Sequence, residues 1–454
     1  MWFLLFLLMI LLGYLTIARW HNDFHPIEHI IISVFLGPIV ASLVFFGIGL
    51  LNIPFSPRNL FVSLTVSCLL FVFFNMIKRT PNSKQIKIKV PSFTFFELGM
   101  IIALALLFFW VLLQDVVWPP FSWDVLALYD FRGRVIADYH SLAQGFFTSQ
   151  SNLTAYNYVY PFSTSILHGV IYITGGANPK FFYAFFYLGF VGLLYFCIRR
   201  YLSRLLSLFL TLFMAVTPDI IFPSTIAYPN IAYALLFSYS TIYFWKYMRY
   251  RKNGFLALSI LLLPLSTWIR NSEPFWVINI IFMTIYFIKN RQILMIFAML
   301  LIFFGIREIW PIYQGHIFAT SGQIKIDPPQ GFHIDLTKIP ESFLFTIKYF
   351  TGSWWQYFLI LFFAAISSWK KVLRSSFLIF WFISYLGISF LGTYFFAVSF
   401  SWWNQIGGSA ERVSVFFAPL LLYLLAVIFP DTKNERFHLK IKLGNRIYNL
   451  INKQ

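Results

Sequence analysis

The sequence predicts an all-α fold, a polytopic transmembrane helix bundle of about thirteen spans with two large outer loops and juxtamembrane helices. Three observations carry that reading. Of the 454 residues 59% are hydrophobic, 22% aromatic and 11% charged, against roughly 25% charged in an average soluble domain, and a soluble fold could not hide so much apolar surface. Continuous apolar runs such as 101–117, Phe181–Ile198 and Val413–Phe429 have the length that a hydrocarbon core of about 30 Å demands. Finally, the basic residues behind the net charge of +18 sit in short clusters between those runs. That is the positive-inside pattern of a membrane protein rather than the footprint of a nucleic-acid binder.

Taken in order, the apolar runs give spans at residues 1–18, 30–50, 59–77, 93–116, 181–198, 205–217, 228–245, 254–269, 274–288, 292–306, 353–368, 375–393 and 412–429. Residues 1–20 carry no basic n-region and no small-residue cleavage site, so they read as a retained first span and not a signal peptide. Pro161–Thr174 is apolar but only about 14 residues long, short of the roughly 20 needed to cross, and reads as a juxtamembrane helix on the outer surface. The outer loops then run over 117–180 and 307–352, with shorter ones at 217–227 and 394–411. Residues 1–92 form three extra N-terminal spans and a basic cytoplasmic loop, 93–430 the core, and 431–454 a basic cytoplasmic tail. With an odd number of crossings and that tail inside, the N-terminus is outside. The partition balances: 24 of the 34 Lys and Arg fall inside with 5 of the 16 acidic residues, a net +19 against −1 outside.

The residues suited to chemistry gather on the outer side. Asp124 follows Trp118-Pro119-Pro120, where the prolines stop the fourth span, and so lies near the membrane surface as a helix cap, an ion-pair partner or a general base. Trp123–His140 reads as one interfacial amphipathic helix with Asp124 and Asp138 near one stripe and Asp130, Arg132 and Arg134 pointing elsewhere. Arg132 and Arg134 run against the positive-inside bias; they pair with Asp130 and Asp138, snorkel among headgroups, or meet a phosphate. Arg270 and Glu273 lie at the outer tip of a short helical hairpin, as a turn ion pair or as functional groups where charge is expensive. Trp402 and Trp403 fit an aromatic belt, whereas Asn404, Gln405 and Arg412 beside them do not. Cys68 and Cys197 support neither a disulfide framework nor a thiolate site. His21, His25 and His29 repeat every four residues but fall on the cytoplasmic side. No phosphate-cradling glycine loop, His-Glu-x-x-His or Gly-x-Ser-x-Gly occurs, which argues against ATP-driven transport by this chain.

Four stretches in order, Trp123-Asp124, Val159-Tyr160-Pro161-Phe162, Arg270-Asn271-Ser272-Glu273-Pro274 and Ser409-Ala410-Glu411-Arg412, resemble the membrane glycosyltransferases of the GT-C superfamily, in the branch related to protein O-mannosyltransferases and aminoarabinose transferases. The resemblance spans Phe93–Pro430. The third stretch departs from the family's basic-Asn-Glu-Gly pattern by an inserted Ser272 and by Pro274 in place of Gly. The resemblance implies a GT-C-like core that moves a sugar from a polyprenyl-phosphate carrier to a hydroxyl on a glycan, lipid or protein, outside a bacterial or archaeal-type plasma membrane, with inversion. It implies Asp124 as the base and Arg132, Arg134, Tyr160, Arg270, Glu273, Asn404 and Arg412 as substrate-binding residues. Some members need a divalent metal, and no site here compels one. The alternatives are a lipid-linked-glycan transporter or flippase, whose polar groups would lie mid-membrane on broken helices, and a glycan polymerase or ligase.

The charge partition makes a direct prediction. A tag at the C-terminus and a cysteine at Arg200 are cytoplasmic, and a cysteine at Ser149 is external. External labelling at position 200 would make Pro161–Thr174 a span and require a different topology.

Overall fold

The computed structural model describes residues 1–77, 92–143, 146, 160–271, 274–321, 334–400 and 403–429. Among these residues the regular elements are helical and no strand forms, as hydrocarbon requires of a chain whose backbone groups have no other partners. In order they are α1 (Trp2–Ile17), α2 (Pro26–Leu50), α3 (Pro57–Ile77), α4 (Phe95–Val117), α5 (Asp130–Tyr139), α6 (Ser163–Ile173), α7 (Phe181–Ile198), α8 (Arg204–Ala215), α9 (Pro218–Thr225) and α10 (Pro229–Tyr250). They continue with α11 (Asn253–Ile269), α12 (Phe275–Lys289), α13 (Ile293–Arg307), α14 (Ile309–Ser321), α15 (Lys338–Thr346), α16 (Trp355–Ser367), α17 (Trp369–Arg374), α18 (Ser376–Ser399), α19 (Gly407–Ser414) and α20 (Phe417–Ile428).

Eight helical stretches are long and apolar enough to cross a membrane, or ten if the bent pairs α8 with α9 (58°) and α19 with α20 (42°) each count as one. Their starts are written locally. The Thr94 hydroxyl accepts from Glu97 N–H while the Glu97 carboxylate accepts from Thr94 N–H, satisfying two orphan donors of α4. At the start of α2 the Glu28 carboxylate accepts from His25 N–H and His25 Nδ1 accepts from Ile27 N–H, with Pro26 as its first residue. Trp118, in extended conformation before Pro119, ends α4.

α10 is the axis of the bundle. Every residue from Pro229 to Tyr247 is buried, and because protein surrounds it on all sides it tolerates serine, threonine and tyrosine where a lipid-facing helix would need leucine. Its far end carries the ion pair of Lys246 with Glu28 of α2, at 2.9 Å and no more than 1% exposed, and Tyr243 donates to the same carboxylate oxygen. α2 is also tied to α11 by Trp268 Nε1 donating to Ser42 Oγ at 2.9 Å. The N-terminal helices are thus packed into the core.

Three expectations are revised by this packing. Pro161–Thr174 does form a short helix, α6, but its residues Ser163–Ile171 are buried against neighbouring helices instead of lying on an outer surface. Trp123–His140 is not one uniform helix: a π-helical turn spans Val125–Tyr129 before α5 begins. Much of 307–352 is helix rather than loop, since α14 prolongs α13, and α15 runs through a π turn at Ile347–Thr351 and a 3-10 turn at Gly352–Trp354 into α16. Residues 322–333 lie outside the described residues.

α1 and α2 cross with backbones in contact. A Cβ on Gly37 would stand 1.9 Å from Met9 O, and one on Gly13 would stand 2.3 Å from Ser33 O, the close approach that small residues permit in membranes. Gly47 on the same helix has nothing within 4 Å. Gly37→Ala should therefore destabilise the purified protein by about 1–3 kcal/mol through overpacking, whereas Gly47→Ala should be neutral or mildly stabilising. Equal melting temperatures for the two variants would contradict the crossing.

Candidate active site

A polar cavity of about 130 Å³ opens where five segments meet, lined by Asp124, Leu128, Tyr129, Tyr160, Tyr228, Asn230, Arg270, Ser409 and Arg412. Asn230 starts α10 and Lys246 lies near its end, so the cavity stands about 24 Å along the axis from the buried Glu28–Lys246 pair at 1.5 Å per residue. The basic residues Arg249, Arg251 and Lys252 close that opposite end of the helix.

Each wall follows from local sequence. Asp124 precedes the π turn and its Oδ2 accepts from Arg412 Nη1 at 2.9 Å. Arg412 comes from α19, where Nε donates to Gly408 O and Nη2 to Ser409 Oγ, both at 3.1 Å; its guanidinium lies 4.7 Å from the Tyr228 ring centre. The backbone at Arg270 is extended at the end of α11, and this side chain donates through Nη1 to Asn230 Oδ1 at 3.0 Å and lies 5.3 Å from the Tyr160 ring. Asn230 is 3% exposed, and among the described residues its Nδ2 has no hydrogen-bond partner.

Tyr160 and Tyr228 both precede a proline, Pro161 and Pro229. Proline forces the residue before it out of the α region and favours a helix start just after it. Tyr228 is accordingly extended at the head of α10, and its hydroxyl shares a hydrogen bond with Ser122 Oγ in the segment leading to Asp124.

The structure brings Asp124, the expected base, to one cavity with Tyr160, Arg270 and Arg412 of the residues expected to bind substrate. Arg132 lies outside its lining: it is fully buried, donates through Nη1 to Tyr160 O at 2.8 Å and through Nε to Leu128 O, and stacks near Tyr129 and Phe162. It therefore braces two wall residues. Arg134 faces away and pairs with Asp130 at 2.9 Å, the structural one of the roles open to it. Asn404 is exposed in the 3-10 turn Trp403–Ile406 and does not reach the cavity, whereas Ser409 does. Glu273 lies outside the described residues, as does Trp402. Tyr129, Tyr228 and Asn230 were missed, although Tyr228-Pro229 repeats the Tyr160-Pro161 signal.

The π turn also corrects the helix faces. Its wider turn adds a residue between Asp124 and α5, so positions beyond it rotate relative to an ideal helix. Asp138 is exposed and shares no stripe with Asp124, while Asp130 is buried. Gly133 and Gly169 let α5 and α6 touch, since a Cβ on Gly133 would stand 2.5 Å from His168 Cβ. Asp130 Oδ1 then accepts from His168 Nδ1 at 3.1 Å and from the Tyr172 hydroxyl, and His168 Nε2 faces the Tyr183 hydroxyl at 3.3 Å. Burial alone would push the Asp130 carboxyl up; the hydrogen bond and charge of His168, with bonds from Tyr172 and Arg134, outweigh it and hold it at about 2.

A carboxyl held low in the folded state stabilises it above the unfolded value, and that contribution is lost as pH falls through the folded one. Asp130→Asn should thus cost roughly 2 kcal/mol at pH 7, and the gap to wild type should close as pH falls from about 4 toward about 2. Melting curves that stay parallel over that window would contradict the network.

Compared with known proteins, the chain matches no family model, no curated protein and no solved structure.

Proposed function

We propose that the chain is a multi-pass membrane glycosyltransferase that moves a sugar from a polyprenyl-phosphate carrier to a hydroxyl acceptor on the non-cytoplasmic face, with inversion. The observation that supports it best is the meeting of Asp124, Tyr160, Arg270 and Arg412, distant in sequence, on one polar cavity. In this reading the bundle makes thirteen crossings, the shorter α11 and α12 and the polar α10 among them, and the cavity end of α10 faces outward.

The chemistry asked of the site is simple to balance. The acceptor oxygen bonds to the anomeric carbon, its proton passes to the Asp124 carboxylate, and the carbon–phosphate-oxygen bond breaks with its electron pair leaving on the polyprenyl phosphate. Arg270 and Arg412 neutralise that phosphate through charge-assisted hydrogen bonds. Among the described residues no three His, Cys, Asp or Glu side chains form a metal-binding group, and the cationic groups lining the cavity are these two guanidiniums. A transporter would instead place its ionisable groups near the middle of the membrane, whereas Asp124 and Arg270 lie just past the ends of α4 and α11. One polar cluster inside the bundle is neutral: Thr241, Trp381 and Tyr385 all donate to Asn279 Oδ1, which suits helix packing.

Asp124→Asn keeps shape and capping ability but takes no proton, so sugar transfer should fall about 10²–10⁴-fold while the protein inserts and binds donor lipid. Near-normal transfer would end this assignment. Arg412→Ala should lower transfer at limiting donor by roughly 10–100-fold, the loss of one or two charged hydrogen bonds. Unchanged turnover there would remove Arg412 from donor binding.

A further inference from the structure

Asn230 is the second residue of α10, placed just after Pro229, and no side chain caps that helix at Tyr228. Its amide is committed on one side only. Oδ1 accepts from Arg270 Nη1 at 3.0 Å, and because a guanidinium can only donate, this bond fixes the oxygen toward Arg270 and the nitrogen away from it. Asn230 is 3% exposed, and among the described residues Nδ2 has no hydrogen-bond partner, whereas the large majority of buried polar atoms have one. Asp124, the carboxylate of the cavity lining, does not take it. A buried donor on the cavity wall is left for what enters.

Its surroundings select the kind of oxygen it meets. Asn230 lies in the first turn of a 22-residue helix, where the partial positive charge of the helix N-terminus favours an anion. The guanidinium on its oxygen polarises the amide and strengthens the opposite N–H as a donor. Arg270 and Arg412 both line the same cavity, and Asp124, the acidic residue of that lining, pairs with Arg412. An anionic oxygen gains from each of these charges far more than a neutral hydroxyl does.

We propose that Asn230 is a ligand-binding residue of the cavity, its Nδ2 donating to a phosphate oxygen beside Arg270. The inference rests on the reading of the cavity as a phosphate-sugar site and adds a specificity-determining residue to it. Asn230 then serves twice: Oδ1 steadies the Arg270 guanidinium, and Nδ2 contacts the phosphate itself. The axis helix thereby takes part in binding, because its first turn meets the anion.

Calorimetric binding of dodecyl phosphate to the purified full chain tests this, with wild type, Asn230→Ala, Arg270→Ala and the double variant as a cycle. Losing one hydrogen bond to a charged group should weaken binding by Asn230→Ala about 10–100-fold. A clear loss should remain in the Arg270→Ala background; if it vanishes there, Asn230 acts only by positioning Arg270 and the contact is overturned. Asn230→Asp keeps the shape and the acceptor for Arg270 but has no donor at neutral pH. It should bind at least as poorly, and it decides the matter if Asn230→Ala does not fold. Wild-type affinity in either variant overturns the inference. The cavity reading then survives if Arg412→Gln still weakens binding, and fails as well if it does not. Dodecyl glucoside is the neutral control: an equal loss for it in Asn230→Ala would assign Nδ2 to a sugar hydroxyl and overturn the phosphate contact. Inorganic phosphate separates the sources. If it binds wild type as tightly as dodecyl phosphate, with the Asn230→Ala loss intact, the inference stands and the lipid-donor reading fails; if neither phosphate probe binds wild type, both fail.

Discussion

Hydrocarbon offers no partner to a polar group, and much of this architecture follows from how the chain meets that constraint. Backbone groups close on themselves in helices, while buried charges gather at helix ends where two or three elements can supply partners. Glu28 pairs with Lys246, Glu97 with Arg204, Asp115 lies 3.8 Å from Lys180, and Asp130 collects His168, Tyr172 and Arg134. Each of these joins different helices, so each also fixes a register. Breaking one side of such a buried pair strands a charge at a cost of several kcal/mol, which makes the pairs effective pins even where their net contribution to stability is small.

The cavity inherits its geometry from those pins. Lys180 donates to Trp118 O at 3.1 Å, and Asn178 to Asp115 O and Trp118 O, so the segment that leads to Asp124 is held against the head of α7. The Asp130 network fixes α5 against α6, and Arg132, one turn from Asp124's π turn, carries that rigidity to the Tyr160 carbonyl. Positioning of this kind is what a reactive site needs from its surroundings. The Asp124–Arg412 contact at the cavity is less buried than these pins, its side chains 29% and 30% exposed.

Much of the helical layout was legible in the sequence, because apolar length is a strong signal: the expected spans fall on helices, although the last, 412–429, contains the bend between α19 and α20, and eight to ten stretches meet a strict length and apolarity test. Asp124, Arg270 and Arg412 were legible as outlying charges beside proline and tryptophan. What escaped reading depends on tertiary contacts or on local geometry that leaves no pattern. The π turn at Val125–Tyr129 shifted every later residue of its helix, which hid Asp130 and misplaced Asp138. α6 looks like a surface helix by length, yet Gly133 and Gly169 bury it. Asn404 and Ser409 are both polar members of one stretch, and only the turn between them decides that Ser409 faces the cavity.

In the proposed function a lipid phosphate is held between Arg270 and Arg412 at the Asp124 cavity. That placement is tested most directly by a structure of the full chain in lipid nanodiscs with a polyprenyl phosphate bound. The expected result is a phosphate within hydrogen-bonding distance of both guanidiniums, with the prenyl chain leaving toward the bilayer. A phosphate seated elsewhere, at the basic end of α10 or against the exposed faces of α3 and α4, with none at the Asp124 cavity, would contradict it.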